Sequence, residues 1–301
     1  MTISRRQFLE LFRNSAAALG VGAVNLSVLE KALAQPGGPT VIWLQGSACT
    51  GCSVSLLNRI SSTSPSTTAD VLINIINLRY HPNLMAAAGK SAAAIAEEIA
   101  GGSGHILAVE GGVPTAFGGA ACWAWTRADG TDVTFQQAVT MLAANAAQIL
   151  CIGTCAAWGG IPAALPNPTG VRSVREVTGR PTLNIAGCPT HPDWIVWAIG
   201  QLVSGAPISV DSYGRPAALF GKTVHELCPR REREEASTYG QDYLCLEELG
   251  CKGPSTKGNC PITLWNGRAN WCCDSNTLCI GCTDPAFPFT NLRSKTYAID
   301  D

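Results

Sequence analysis

Fourteen cysteines stand in a chain of 301 residues, and their spacing sorts most of them into three sets able to bind metal. The first set is Cys49-Thr50-Gly51-Cys52, Cys155 in Gly153-Thr154-Cys155, and Cys188 in Gly187-Cys188-Pro189. The second opens with His225-x-x-Cys228 and continues through Cys245 to Cys251 in Leu249-Gly250-Cys251-Lys252-Gly253. The third is Cys260-Pro261, Cys272 and Cys279-Ile280-Gly281-Cys282, whose closing Cys-x-x-Cys gains weight as the end of a set of four. Thiolates are soft ligands that suit zinc or iron–sulfur clusters. Glycine at 51, 153 and 187 lets backbone approach closely and donate to inorganic sulfide, which favours a bulky cluster. An imidazole in place of one thiolate, as His225 would supply, makes a cluster less negative and shifts its potential upward. A zinc site or a disulfide remains an alternative use of the same residues.

These residues need elements to position them. Val41-Ile42-Trp43-Leu44, Val71 to Leu78, His105 to Val109, Ile149 to Gly153 and Thr182 to Ala186 are predicted strands. Helical patterns lie between them at Ser53–Ile60, Ser91–Ala100, Thr134–Ala147 and Asp193–Val203. Near-continuous apolar strands alternating with helices imply a parallel sheet covered on both faces. Residues 35–208 are therefore expected to form a flavodoxin-like, doubly wound α/β domain. In such a sheet the loops beyond the strands' carboxyl ends share one crevice, so Cys49, Cys52, Cys155 and Cys188 should meet there. The opening of a helix after Cys49 would also favour thiolate and cluster charge.

From about Asp211 the apolar runs thin out, and eight of the fourteen cysteines follow. A stretch with so small a core needs disulfides or metal, so residues 209–301 are expected to form a small, irregular cluster-binding domain. Trp265 and Trp271 lie within the third set and could wall it from water, although core packing alone would use them as well. The run from Arg230 to Glu235 reads as a solvated face. Cys122, Cys151 and Cys273 fall outside the sets and read as small buried hydrophobes.

Composition limits the partners. With a net charge of −1 and 14% charged residues, the chain lacks the basic face that nucleic acid requires, and so little charge suits a large protein interface. Residues 1–34 read as a twin-arginine signal peptide: Ser4-Arg5-Arg6-Gln7-Phe8-Leu9, an apolar stretch from Ala16 to Val28, and the cleavage site Ala32-Leu33-Ala34. This route exports proteins already folded around a cofactor, and it implies a periplasmic destination.

With these residues in place, the chain resembles the small subunit of nickel–iron hydrogenases. The resemblance is carried by Gln45-Gly46-x-x-Cys49-Thr50-Gly51-Cys52-Ser53, Glu110-Gly111-x-x-Pro114-Thr115, Gly153-Thr154-Cys155, Gly187-Cys188-Pro189 and Glu248-Leu249-Gly250-Cys251-Lys252-Gly253-Pro254. It implies a proximal four-iron cluster on Cys49, Cys52, Cys155 and Cys188, and a distal one on His225, Cys228, Cys245 and Cys251. Cys260, Cys272, Cys279 and Cys282 would surround a medial cluster. Many members have proline where Cys272 stands and carry a three-iron medial cluster. A fourth thiolate implies a four-iron cluster instead, as in nickel–iron–selenium relatives, and Cys273 is the alternative donor. Oxygen-tolerant members have extra cysteines where this chain has Gly51 and Gly160, so an ordinary cubane and an oxygen-sensitive enzyme are implied. The interval from Cys228 to Cys245 is shorter than is usual in the family.

The resemblance further implies that the nickel–iron site lies in a separate large subunit, that electrons leave near His225, and that a c-type cytochrome accepts them. Glu110 would tune the proximal cluster or serve a proton route, unless it is a salt-bridged loop carboxylate. The polar end from Thr290 to Lys295 implies no membrane anchor of the chain's own. Two readings compete: an exported zinc- or disulfide-stabilised binding protein without redox role, and the related quinone-reductase subunit. The latter uses adjacent paired cysteines that Cys49-Thr50-Gly51-Cys52 does not match.

Overall fold

The computed structural model describes residues 38–62, 64–241 and 243–288. The signal-peptide reading and the polar-tail reading lie outside them. Five parallel strands build the central sheet: β1 (Thr40–Gln45), β2 (Asn77–Tyr80), β3 (Ile106–Glu110), β4 (Gln148–Ile152) and β5 (Leu183–Ile185). Their spatial order is β2-β1-β3-β4-β5, the doubly wound flavodoxin order with its switch point between β1 and β3.

The sequence of β1 shows why the sheet is buried on both sides. Val41 and Trp43 point into one core, with Leu56, Trp194, Ile195 and Ile199, while Ile42 and Leu44 point into the other, with Ala96, Ile99, Val139 and Leu142. Alternation sends successive side chains to opposite faces, and helices wait on each. Helices α1 (Gly51–Leu57), α2 (Thr68–Asn74) and α6 (Pro192–Ser204) cover the first face. Helices α3 (Lys90–Gly101) and α4 (Phe135–Asn145) cover the second. The short α5 (Thr154–Trp158) follows β4 directly.

One expected element is different. Val71 to Leu78 reads as a strand, yet its first half is the end of α2, and β2 begins only at Asn77. The reason is local: Thr67 accepts from the Asp70 amide, and the Asp70 carboxylate accepts from the Thr67 amide, a capping box that fixes a helix start four residues before Val71. A single apolar side chain of that helix, Val71, is fully buried, so its pattern resembles a strand more than an amphipathic helix.

After residue 208 the described chain contains only single helical turns, such as Ala217–Phe220, Val224–Leu227 and Cys260–Thr263, joined by turns. Its small core gathers Val224, Trp271, Cys273 and Cys279. It is tied to the sheet by side chains of α6 and its cap. Trp194 Nε1 donates to Thr263 Oγ1 (3.3 Å), the Trp194 ring lies 5.1 Å from Phe220, and His191 Nε2 meets the Leu264 carbonyl at 2.7 Å.

Candidate metal centres

The first four cysteines arrive from three strand ends. Cys49 and Cys52 follow β1, Cys155 follows β4 and Cys188 follows β5. Cys49, Cys155 and Cys188 lie close enough to repel one another if ionised, and Cys155 repels Cys52. Burial pushes the Cys155 thiol up to about 12 and the Cys52 thiol higher still, with repulsion from Glu110 added in both. Thiols clustered in this way become thiolates together only around a cation that compensates their charge. The surrounding backbone is cut to the same purpose. Gly153 has φ +93°, and a Cβ there would stand 2.7 Å from Cys52 Sγ. A Cβ on Gly51 or Gly160 would stand 3.0 Å from the sulfur of Cys49 or Cys155 respectively.

Glu110 ends β3 beneath this set and is 2% exposed. Its Oε1 accepts the backbone N–H groups of Cys52 (3.0 Å) and Ser53 (3.3 Å). Its Oε2 accepts Trp43 Nε1 (3.2 Å), Gln45 Nε2 (3.1 Å) and the Ser53 hydroxyl (2.5 Å). Because Ser53 donates to Glu110, His81 Nε2 at 3.1 Å must donate to Ser53, while His81 Nδ1 accepts the Asn83 amide. Burial holds His81 down at about 4, so it is neutral at pH 7. No basic side chain pairs with Glu110 among the described residues, so the salt-bridged alternative is not what the fold contains. Gln45 and Ser53 belong to the motif around Cys49, but Trp43, His81 and Thr190, whose amide and hydroxyl reach Cys52 Sγ at 3.5 and 3.7 Å, carry no motif that flags them in the sequence.

The third set is of mixed burial like the first, with Cys279 buried and Cys272 exposed. Cys260, Cys272, Cys279 and Cys282 are mutually close, and burial is the main cause raising each thiol, with Cys282 pushed up to about 12. Cys272 therefore faces this set. Its neighbour Cys273 does not. Cys273 turns the other way and hydrogen-bonds the sulfurs of Cys228 and Cys251. As expected of a small buried hydrophobe, it is 3% exposed and packs with Val224, Trp271 and Cys279.

The second set surrounds a cavity lined by His225, Cys228, Cys245, Cys251, Cys273 and Arg230, with Val224, Leu246, Gly253 and Trp271 completing the wall. The thiol hydrogen bonds from Cys273 are the main cause lowering Cys228 and Cys251, opposing burial. The Glu247 carboxylate lies 3.8 Å from His225 Nδ1. His225 Nδ1 or Nε2, Cys245 Sγ and a Glu247 oxygen fall within 4.8 Å of one another, a donor set compatible with a metal. Arg230 corrects the solvated-face reading: it is 3% exposed, its Nη1 donates to the Leu244 carbonyl and Asn276 Oδ1, and only residues 231–235 are exposed.

The sets form a line. Cys282 approaches Cys188 and takes its backbone N–H, joining the third set to the first. Cys251 approaches Cys279 and Cys272, joining the third set to the second, and the Lys252 amide donates to the Cys279 carbonyl at 2.7 Å. None of the fourteen cysteines forms a disulfide. Trp271 packs with Cys273 and Cys279 between the last two sets, and Trp265 packs against the same cluster while its ring meets His191 at 4.5 Å, tilted by 56°.

Comparison with known proteins accords with this geometry. Residues 49–202 match the family described as NADH ubiquinone oxidoreductase, 20 Kd subunit, and residues 220–293 match the C-terminal part of the NiFe/NiFeSe hydrogenase small subunit. The periplasmic [NiFeSe] hydrogenase small subunit of Desulfomicrobium baculatum is 37% identical over 310 aligned positions, which cover 96% of this chain and 97% of the relative. The chain belongs to the family of nickel–iron hydrogenase small subunits. The periplasmic [NiFe] hydrogenase small subunit of Solidesulfovibrio fructosivorans is also 37% identical, across 95% of this chain and 90% of that one. Among solved structures, the recombinant [NiFeSe] hydrogenase of Desulfovibrio vulgaris Hildenborough superposes with a TM-score of 0.77 at 39% identity, covering 83% of this chain and 95% of that one. Membership makes the chain one subunit of a hydrogenase, an oxidoreductase whose nickel–iron site belongs to the other subunit. Among the described residues, no helix is long and apolar enough to cross a membrane.

Proposed function

We propose that this small subunit relays single electrons between the large subunit and a redox partner through three four-iron clusters. The observation that carries the proposal is the line of donor sets, joined by Cys188 to Cys282 on one side and by Cys279 to Cys251 on the other. Cys49, Cys52, Cys155 and Cys188 would hold the proximal cluster; Cys260, Cys272, Cys279 and Cys282 the medial; His225, Cys228, Cys245 and Cys251 the distal. The clusters supply reversible one-electron storage. The chain's own residues do the rest. They bind iron through sulfur and one imidazole, exclude water with Trp271, and fix the negative charge of Glu110 beneath the first set.

The division at about residue 208, export of a folded precursor by the twin-arginine route, and a c-type cytochrome as acceptor complete the proposal. His225, 23% exposed at its side chain, marks the surface where electrons would exit. Gly51 and Gly160 leave no sulfur beyond the four near the proximal site, which supports oxygen sensitivity.

Anaerobic purification with the large subunit, followed by iron counting, EPR and a hydrogen-uptake assay, tests this reading. About thirteen irons per heterodimer, twelve from the clusters and one from the large subunit's nickel–iron site, and visible absorption bleached by dithionite are expected. A colourless, zinc-loaded protein, or no co-purifying large partner, would overturn it.

A further inference from the structure

The cavity of the second set has polar walls beyond its three cysteines and one histidine. Arg230 and Trp271 line it, and each is 3% exposed. Arg230 Nε and Trp271 Nε1 have no hydrogen-bond partner among the described residues. Neither side chain can turn its N–H to water. Arg230 Nη1 donates to the Leu244 carbonyl (3.2 Å) and Asn276 Oδ1 (3.4 Å), and its guanidinium lies 4.7 Å from the Tyr243 ring centre. Trp271 packs with Val224 and Cys279. Two backbone donors already reach sulfurs of this set, Arg230 N–H to Cys228 and Gly253 N–H to Cys251, both at 3.4 Å. Buried donors rarely go unsatisfied, so the wall is built to meet an acceptor-rich group. Charge says the same. The contacts of Arg230 are a carbonyl, an amide oxygen and an aromatic ring, and no carboxylate pairs with it among the described residues. A buried cation of this kind favours an anionic neighbour. The opposite end of the line carries the opposite sign, the buried carboxylate of Glu110.

Resting on the relay reading above, we infer that Arg230 Nε and Trp271 Nε1 donate hydrogen bonds to sulfur of the distal cluster and, with the buried charge of Arg230, raise its reduction potential. An added electron increases the negative charge on the sulfurs, so fixed donors and a fixed cation stabilise the reduced form more than the oxidised form. With Glu110 at the proximal end and Arg230 at the distal end, the protein's own charges favour electron flow from the first set toward the second. The guanidinium is ionised at every working pH, so this bias does not titrate away.

The test compares the unsubstituted heterodimer with Trp271→Phe, Arg230→Gln and Arg230→Lys, purified anaerobically and titrated potentiometrically under EPR. An imidazole nitrogen coupling marks the distal signal, and exchangeable-proton couplings on the reduced cluster are read by ENDOR after transfer to D2O. Trp271→Phe keeps most of the ring's bulk. It should lose one exchangeable coupling and lower the distal reduction constant at least threefold, about 28 mV for one electron. Arg230→Gln should lower it at least tenfold, about 59 mV. Arg230→Lys keeps the cation and should recover at least half of that shift. In each variant the proximal midpoint should move less than the distal one. Distal midpoints unchanged in Trp271→Phe and Arg230→Gln, with iron content complete, would overturn the inference. So would a lower midpoint with every exchangeable coupling retained, which would mark loosened packing instead. If Arg230→Gln prevents assembly, Trp271→Phe decides alone. Absence of the distal signal from the unsubstituted heterodimer would instead defeat the relay reading itself.

Discussion

Replacing Glu110 with glutamine should raise the potential of the proximal cluster and weaken the fold around it. Five donors converge on the two carboxylate oxygens, at distances from 2.5 to 3.3 Å. A glutamine keeps one acceptor and sets an amide NH2 against the donors of the other. Ser53 and Gln45 can turn away, but the Trp43 indole N–H cannot, so one buried donor is orphaned and a charge-assisted contact is lost. The expected cost is about 2–4 kcal/mol. The electrostatic effect follows from the backbone bond of Glu110 to Cys52, which puts the carboxylate roughly 5–8 Å from the ligand sulfur. At an effective dielectric of about 20, one charge at that range contributes about 2–3 kcal/mol. Divided over one electron, this moves the midpoint upward by about 80–140 mV. The sign is fixed, because Glu110 opposes negative charge on both Cys52 and Cys155. An EPR-monitored redox titration of the Glu110→Gln heterodimer measures it. A midpoint that falls, or stays within roughly 20 mV of the original, with the proximal cluster intact, would refute the reasoning.

Other substitutions probe the remaining sets. Cys272→Ala should reduce iron by about one per heterodimer and produce a strong oxidised three-iron EPR signal, whereas an unchanged spectrum would remove Cys272 from the medial site. Gly153→Ala, which forces a side chain into φ +93° and against Cys52 Sγ, should cost about 1–3 kcal/mol in strain and deplete proximal iron selectively, as iron analysis and EPR would reveal. His81 titrates at about 4 in the fold against an ordinary value near 6.5, so the unfolded chain takes up its proton first as pH falls. Stability should be unaffected above about pH 7 and fall by about 2 kcal/mol by about pH 5 from this group alone. Denaturant unfolding of His81→Gln should lack that component.

Much of this organisation was legible in the sequence because the sheet makes strand ends converge. Continuous runs such as Val41 to Leu44 identify strands covered on both faces, and the cysteines that follow three such strands must then share one edge. Family resemblance was needed for the other two sets, since Cys228 to Cys282 lie in turns with no periodicity to read. The helix at Thr68–Asn74 was hidden because its capping box carries aspartate where glutamate is usual, and it buries so little. Glu110 stood out through its motif. Its partners Trp43 and His81 did not, because they are assembled from separate segments that meet only when β1, β2 and β3 pair. The opposed directions of Cys272 and Cys273 depend on the single 3-10 turn at Cys273–Ser275, which no spacing rule specifies.

The hydroxyl of Thr154, at the start of α5, donates to the Cys282 carbonyl at 2.5 Å and accepts the Gly187 amide at 3.0 Å. Three loops carrying Cys155, Cys188 and Cys282 thus hang on one side-chain oxygen, and Arg215 adds a second tie through the Thr283 carbonyl at 3.1 Å. If these sets hold clusters as proposed, metal loading should be cooperative: iron that ordered the loop of Cys282 would also order the two loops above it, so filling either pocket would make the other easier to fill. Native mass spectra taken during maturation would then show empty and fully loaded chains with little between, and a cell would have a single species, rather than a series of partly built ones, to recognise as ready for assembly.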